Sequence, residues 1–345
     1  MTSDQQQNQR PRRISRRHFL WATGGAAAAG TAAIWWTNLR VPPWDEPVFV
    51  AKADRYDGDL GRIMTGAMRE LGLSESTVKG KRILLKPNLV DTGAGVVHVN
   101  AHPMVVRAAA EAFQRLGASE IVVAEGTGLI RDTPMVLDAC GLADVLAEER
   151  IRFVDLNYDD VYLLPNAGGY TDLKTLAFPS VLRRFDWIVS LAKLKTHHWA
   201  GVTLAMKNMF GVMPGIVYGW PKNVLHYAGI DRSVLDINTT LRPHFAIVDG
   251  IVGMEGDGPI NGSPKNAGVL VLGRNLPAVD ATCARIMGVD PRKVSYLAAA
   301  QRRLGPIRES QIQQRGENIG PLRTDFLLHD YIAAQRGLRL GPPGG

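Results

Sequence analysis

The 345-residue chain has only two cysteines, Cys140 and Cys283, far apart in sequence, which excludes a disulfide framework and a cysteine-ligated iron–sulfur cluster. With no CxxC pair, two separate buried thiols are expected, a single bridge between them being the alternative. HxH and HExxH metal motifs are missing too. So are heptads, internal repeats and low-complexity tracts, apart from the polar start MTSDQQQNQ and the end GPPGG, both expected to lack fixed structure. Positive charge is scarce where it would matter. Of the formal +7, +5 lies in residues 1–41, leaving +2 for the rest. A nearly neutral body has no long-range field to gather polyanions, so nucleic acid is not expected as a partner and anion binding is expected to be local.

What is present begins with an address. Ser15, Arg16, Arg17, His18, Phe19 and Leu20 follow a polar basic stretch, and residues 19–36, FLWATGGAAAAGTAAIWW, carry no charge. The pair of arginines before a weakly hydrophobic run resembles a twin-arginine export signal. That resemblance implies passage through the twin-arginine (Tat) translocase in a folded state and a periplasmic or envelope location. Residues 1–40 are expected as this signal or as a retained anchor, in which case residues 19–36 contact the membrane. Ala27 and Ala29 form a small-x-small pattern inside the apolar run, so removal of the signal stays open.

Beyond Pro42, Pro43 and Pro47, short β-branched runs alternate with helical patterns, which predicts an α/β fold: mostly parallel sheet with flanking helices. One domain and two lobes around a central crevice are both open at this length. Strands are expected at 48–51, 82–85, 121–124, 151–154, 187–191, 245–248 and 269–272. Helices are expected at 62–71, 103–116, 134–139, 202–209, 233–241, 278–287 and 296–304. Proline at a helix start and glycine just past its end recur as punctuation. The α/β domain is expected over residues 41–290, with a helical extension and tail over 291–345.

Chemistry-bearing residues gather just after the expected strands, where an open parallel sheet places its ligands. Lys86 and Asn88 follow one strand around Pro87 as a candidate anion clamp, and Glu125 follows the next, before Gly126 and Gly128, in what is first a turn and second a phosphate cradle. The densest segment is SLAKLKTHHWAGVTLAMKNMFGVMPG, residues 190–215, with Lys193, Lys195, Lys207, His197 and His198 where plain packing would use apolar residues. Lys207 falls in the apolar pattern of a short helix, so burial would depress its pKa and make it a nucleophile or attachment point; Asn208 follows it. At most one of His197 and His198 is expected to face the site. His226, in YGWPKNVLHYAG, is a candidate metal ligand or a hydrogen-bonding loop residue. Asp249 opens a glycine-rich stretch with Glu255, Asp257 and Asn261, able to hold a divalent cation, orient the lysines or simply make turns. Asp280 is expected as a first-turn carboxylate of its own helix, and His98 and His102 are weaker acid or base candidates.

The stretches LLKPNLV (84–90), LAKLKTHHWAGVTLAMKNMFGVMPG (191–215), VDGIVGMEGDGPING (248–262) and LPAVDATCARIMG (276–288) resemble the DUF 362 family, a domain of unknown function. The order His197, Lys207, Pro214, Gly215, Asn223, His226 is also similar to the amino-terminal domain of nickel-pincer lactate racemases. This second resemblance implies His197 as acid or base, Lys207 as the tether of a pincer nucleotide and His226 as a nickel ligand. Two features depart from it. Leu204, Ala205 and Met206 stand where the racemases have a glycine pair, and Lys86 to Asn88 replace an Asp-His-Thr-Arg phosphate motif. Three functions are open: a cofactor-dependent redox or racemase-like enzyme acting on a small anionic substrate, an envelope protein that binds an anionic metabolite without turnover, and a metal-dependent hydrolase. In the first, Lys193, Lys195, Lys207 and His197 are catalytic, and Lys86, Asn88, Glu125, Asn208 and Asp249 hold the cofactor.

Overall fold

Short apolar runs set the frame. The computed structural model describes residues 44–93 and 95–341; the segment read as an export signal and the last four residues lie outside these. The strands are β1 (Glu46–Lys52), β2 (Arg82–Pro87), β3 (Glu120–Glu125), β4 (Arg152–Asp155), β5 (Val161–Pro165), β6 (Thr175–Pro179), β7 (Trp187–His197), β8 (Gly201–Thr203), β9 (Phe245–Glu255), β10 (Ser263–Gly273) and β11 (Ile312–Gly316). Nine of them form one sheet in the order β11-β1-β10-β9-β7-β2-β3-β4, with β8 folded antiparallel onto β7. The five strands from β9 to β4 run parallel, β10 runs antiparallel to β9 and β1, and β11 is parallel to β1. The fold is therefore mixed α/β with a mostly parallel sheet. Among the described residues β5 and β6 pair antiparallel in a second, two-stranded sheet, and one nine-stranded sheet carries the rest.

Side chains alternate between two apolar layers, which is why the strands read as continuous hydrophobic runs. Ile83, Leu85, Val189, Leu191, Phe245 and Ile247 pack on one face. Leu84, Val122, Ile188, Ala192, Ala246 and Val248 pack on the other. The flanking helices are α1 (Leu60–Glu70), α2 (Pro103–Arg115), α3 (Thr133–Ala139), α4 (Leu142–Glu148), α5 (Ala205–Asn208), α6 (Asn223–Tyr227), α7 (Ile230–Leu241), α8 (Leu276–Ile286) and α9 (Ser295–Ala300). Proline stands at the start of α2, α3 and α8, where its missing N–H costs nothing. Gly117, Gly141 and Gly288 take positive φ just past helix ends.

All seven expected strands form, and three are much longer than expected: β10 begins six residues early, at Ser263, and two run on past their expected ends. β7 continues to His197 and β9 to Glu255, because Lys193 lies directly opposite Asp249 and each gives the other a partner inside the sheet. The helix expected over 202–209 starts later: β-branched Val202 and Thr203 pair in β8, and Ala205–Asn208 is α-helical and runs on into a 3₁₀ helix over Met209–Val212. The helix expected over 296–304 ends at Ala300. Beyond residue 290 the chain returns to the main sheet as β11, whose polar sequence IQQRG hides a sheet edge. Both cysteines are free thiols, Cys283 buried and Cys140 half-buried.

Candidate functional site

From β2 the sheet grows through β3 to β4, and from β7 through β9 in the opposite direction. The carboxyl ends of strands part at such a switch point and leave a crevice. A cavity of ≈ 190 Å³ opens there, lined by Lys86 from β2, Glu125 from β3 and Lys195 and His197 from β7. Strand β8 adds Thr203, and helices and loops add Asn88, Lys207, Asn208, Lys222 and His226. Four lysines thus line a cavity in which Glu125 is the single carboxylate.

Each lysine is held differently. Lys86 is buried, and its Nζ donates to Glu125 Oε2 at 2.8 Å and to Asn208 Oδ1 at 2.7 Å. Lys195 donates to the carbonyls of Val99 at 2.7 Å and Pro259 at 3.2 Å and has no carboxylate partner, so burial first and the neighbouring lysines second push its pKa well down. Lys222, which the sequence reading passed over, sits at positive φ and donates to Asn157 Oδ1 at 3.0 Å and to the carbonyl of Met213. Burial lowers it to about 7. Lys207 is half-buried and makes no hydrogen bond among the described residues; its ammonium lies 4.2 Å from the centroid of the Phe210 ring. Burial, with Lys86 adding to it and Asp231 and Glu125 opposing, brings Lys207 to about 7.

The two ends of the polar floor are unpaired. Asn88 Oδ1 and Thr203 Oγ1 are buried and have no hydrogen-bond partner among the described residues. Buried polar atoms of this kind cost free energy until something pairs with them. Glu125 is fully engaged by contrast, accepting from Lys86, from Leu89 N at 3.1 Å and from Gly126 N at 2.8 Å. The Gly126 N–H is thereby committed to the Glu125 side chain. Close approach explains Gly211, where a Cβ would lie 2.4 Å from Glu125 Oε1 and 2.5 Å from Lys86 Nζ.

Both His197 and His198 line the cavity, because β7 ends at His197 and the chain turns back immediately after it. His197 Nδ1 accepts from the N–H groups of Trp199 at 2.9 Å and Ala200 at 3.2 Å. A neutral ring in that setting carries its proton on Nε2 and is a donor, and burial holds it neutral by pushing its pKa well down. His226 is the reverse. Its Nδ1 lies 3.1 Å from the carbonyl of Lys222, which only accepts, so Nδ1 carries the proton and Nε2 is left as an acceptor. Among the described residues no three His, Cys, Asp or Glu side chains converge as a metal set, which leaves neither His226 nor the acidic loop with a ligand cluster built by the protein.

Several expected site residues lie elsewhere. Lys193 and Asp249 do not line the cavity; they form a fully buried pair at 2.7 Å, with Tyr56 Oη 3.0 Å from Lys193 Nζ and the His102 N–H donating to Asp249 at 3.1 Å. His102 caps α2 through Nδ1 and stacks on Tyr56. His98 faces the carbonyl of Gly262. Glu255 is spent on Leu327 N and Lys265. Asp280, in the interior of α8, accepts from Ala205 N at 2.7 Å and Met206 N at 2.9 Å and so caps α5, the helix that carries Lys207. Lys222 and Thr203 are the lining residues that sequence reasoning missed. The signal for Lys222 was its place in the same Gly-Trp-Pro loop that pointed to His226.

Fold and site together define a mostly parallel α/β protein with a lysine-lined cavity at the switch point of its sheet. The chain belongs to the family described as a domain of unknown function, DUF362, whose profile matches residues 83–285. It is 30% identical over 271 residues to the thylakoid-associated protein sll1697 of Synechocystis, covering 75% of this chain and 79% of that one. No solved structure matches the chain.

Proposed function

We propose that the cavity is the active site of an enzyme acting on a small carboxylate that also carries a hydroxyl group, a 2-hydroxy acid in the simplest case. The carrying observation is Lys207, an ammonium with no hydrogen bond, in a cavity where four lysines meet one carboxylate. An anion supplies the missing countercharge. Asn88 Oδ1 accepts from the ligand hydroxyl, and Thr203 Oγ1 and His197 Nε2–H donate to the carboxylate. His226 Nε2 is a second open acceptor and, in a metal-free site, the base that takes over the hydroxyl proton from Asn88 Oδ1.

Lys207 and His226 also fit the roles that the lactate racemase resemblance implies, since the amine is unengaged and the imidazole Nε2 is unprotonated. A nickel-pincer nucleotide would be held by Lys207, with His226 as the protein's one ligand, and would supply a hydride acceptor for the substrate's second carbon. The remaining lysines would then pair with the carboxylate, and His197 would take the acid or base part in place of His226. Export through the twin-arginine route to the cell envelope belongs to the same reading, since that route serves proteins that fold around a cofactor before crossing. The thylakoid association of the Synechocystis relative accords with an envelope or membrane setting.

The test joins mass spectrometry to calorimetry. Protein recovered from its own host should bind lactate in preference to propionate, and Lys207→Met should abolish this. A mass addition mapped to Lys207 supports the tethered cofactor, and an unmodified Lys207 with lactate binding retained leaves the free amine as the reactive group. If His226→Gln keeps lactate binding while turnover is lost, the site is catalytic. Equal binding of lactate and propionate, or of neither, overturns the reading.

A further inference from the structure

The lysines occupy only the floor of the cavity. Its upper wall is apolar: Leu89, Val90, Phe210 and Ile260 line it, and Leu129 and Trp199 stand at the edge with 49% and 55% of their surface exposed. Large side chains left so open on a protein surface need a reason, above all when they continue the wall of a polar pocket. Trp199 is held in place, its ring meeting His226 edge-on at 5.0 Å, and His226 meets Phe210 in the same way at 5.0 Å. The helix α6 that presents His226 also exposes Val224 at 42% and Tyr227 at 89%. A small hydrophilic acid would satisfy the floor and leave this surface bare.

We infer that the ligand is an anionic amphiphile, whose hydroxy-carboxylate head pairs with Lys207, Asn88 and Thr203 while an apolar tail lies on Leu129 and Trp199. The inference rests on the function proposed above and extends it to the substrate class. Charge complementarity fixes which end enters first. The floor holds four lysines and one carboxylate, and an anion among them favours their charged forms, so only the anionic end gains by going in. The tail's share of the affinity is the area it removes from water against the exposed rim.

A chain-length series decides it. Calorimetry compares lactate, 2-hydroxyhexanoate and 2-hydroxydecanoate with decanoate and with decylammonium, all below their micellar concentrations. Each added methylene that reaches the rim should tighten binding about fourfold, decylammonium should not bind, and Leu129→Gln should flatten the slope. Leu129 is exposed, so that variant keeps the fold, which its unchanged melting temperature checks. Equal affinities along the 2-hydroxy series would overturn the amphiphile while leaving the hydroxy-acid site standing. Decanoate binding as tightly as 2-hydroxydecanoate would keep the amphiphile and remove the hydroxyl from the proposed function. Binding of decylammonium would overturn both.

Discussion

At the scale of single residues, the chemistry of the cavity follows from how many charges burial leaves without partners. Lys207 is brought to about 7 by burial, so near neutrality about half of its side chains are free amine. An acylating reagent used sparingly should therefore label Lys207 with a midpoint near that pH, while exposed lysines react only several pH units higher. Peptide mapping across the range checks this, and a Lys207 that reacts like its surface neighbours would remove it as the reactive amine. Lys86 makes the opposite case, an ammonium that burial alone would discharge and that Glu125 supports at 2.8 Å. Glu125→Gln strands that ammonium inside the protein and should cost about 3–5 kcal/mol in denaturant unfolding. Gly211→Ala forces a methyl group against both partners and should cost about 1–3 kcal/mol. These contacts join residues 86, 125 and 211, and nothing in their local sequence announces the pairing.

At the scale of elements, the decisive piece is the four-residue helix α5, too short to stand without help. Asp280 supplies the help from α8, taking the N–H groups of Ala205 and Met206. Read along the sequence, Asp280 belongs to its own helix and the run from Val202 to Met209 reads as one helix. Periodicity cannot reveal that β8 takes the first two residues and a carboxylate some seventy residues away caps the rest. The strands, by contrast, were legible, since each is an apolar run covered on both faces. So was the clustering of Lys86, Glu125 and Lys195 at strand ends, with Lys207 on the short helix that follows. The separation of Lys193 and Asp249 into their own buried pair was not, because it depends on the register of β7 against β9. Burial raises Asp280 to about 8, with the two N–H groups pulling the other way. The folded state then holds a proton that the unfolded state has released between about pH 4 and about pH 8, so stability falls as pH rises through that window. Asp280→Asn should remove this slope from a melting series, and it should also slow the labelling of Lys207 or shift its midpoint. A labelling curve identical to that of the unaltered protein would reduce Asp280 to a structural cap.

At the scale of the whole molecule, folding, protonation and ligand binding meet in one cavity. The sheet's switch point gathers the lysines, and the cost of holding them together is met by keeping some of them neutral. Lys222 and Lys207 both fall from 10.5 to about 7. Between those values the unfolded chain binds more protons than the folded one, so these two groups make stability rise with pH through that window. Below about 7 both are charged in the fold, and the repulsion is present in full. An anion in the cavity relieves that repulsion only where it exists. Lactate should therefore raise the melting temperature more at about pH 6 than at about pH 9, although its own carboxylate is ionised at both. Lys207→Met should abolish the ligand-induced shift. Lys222→Met should flatten the alkaline rise in stability of the unliganded protein. The measurement is a thermal melt with and without ligand at the two pH values, and equal shifts would mean that the anion binds without drawing on these ammonium groups.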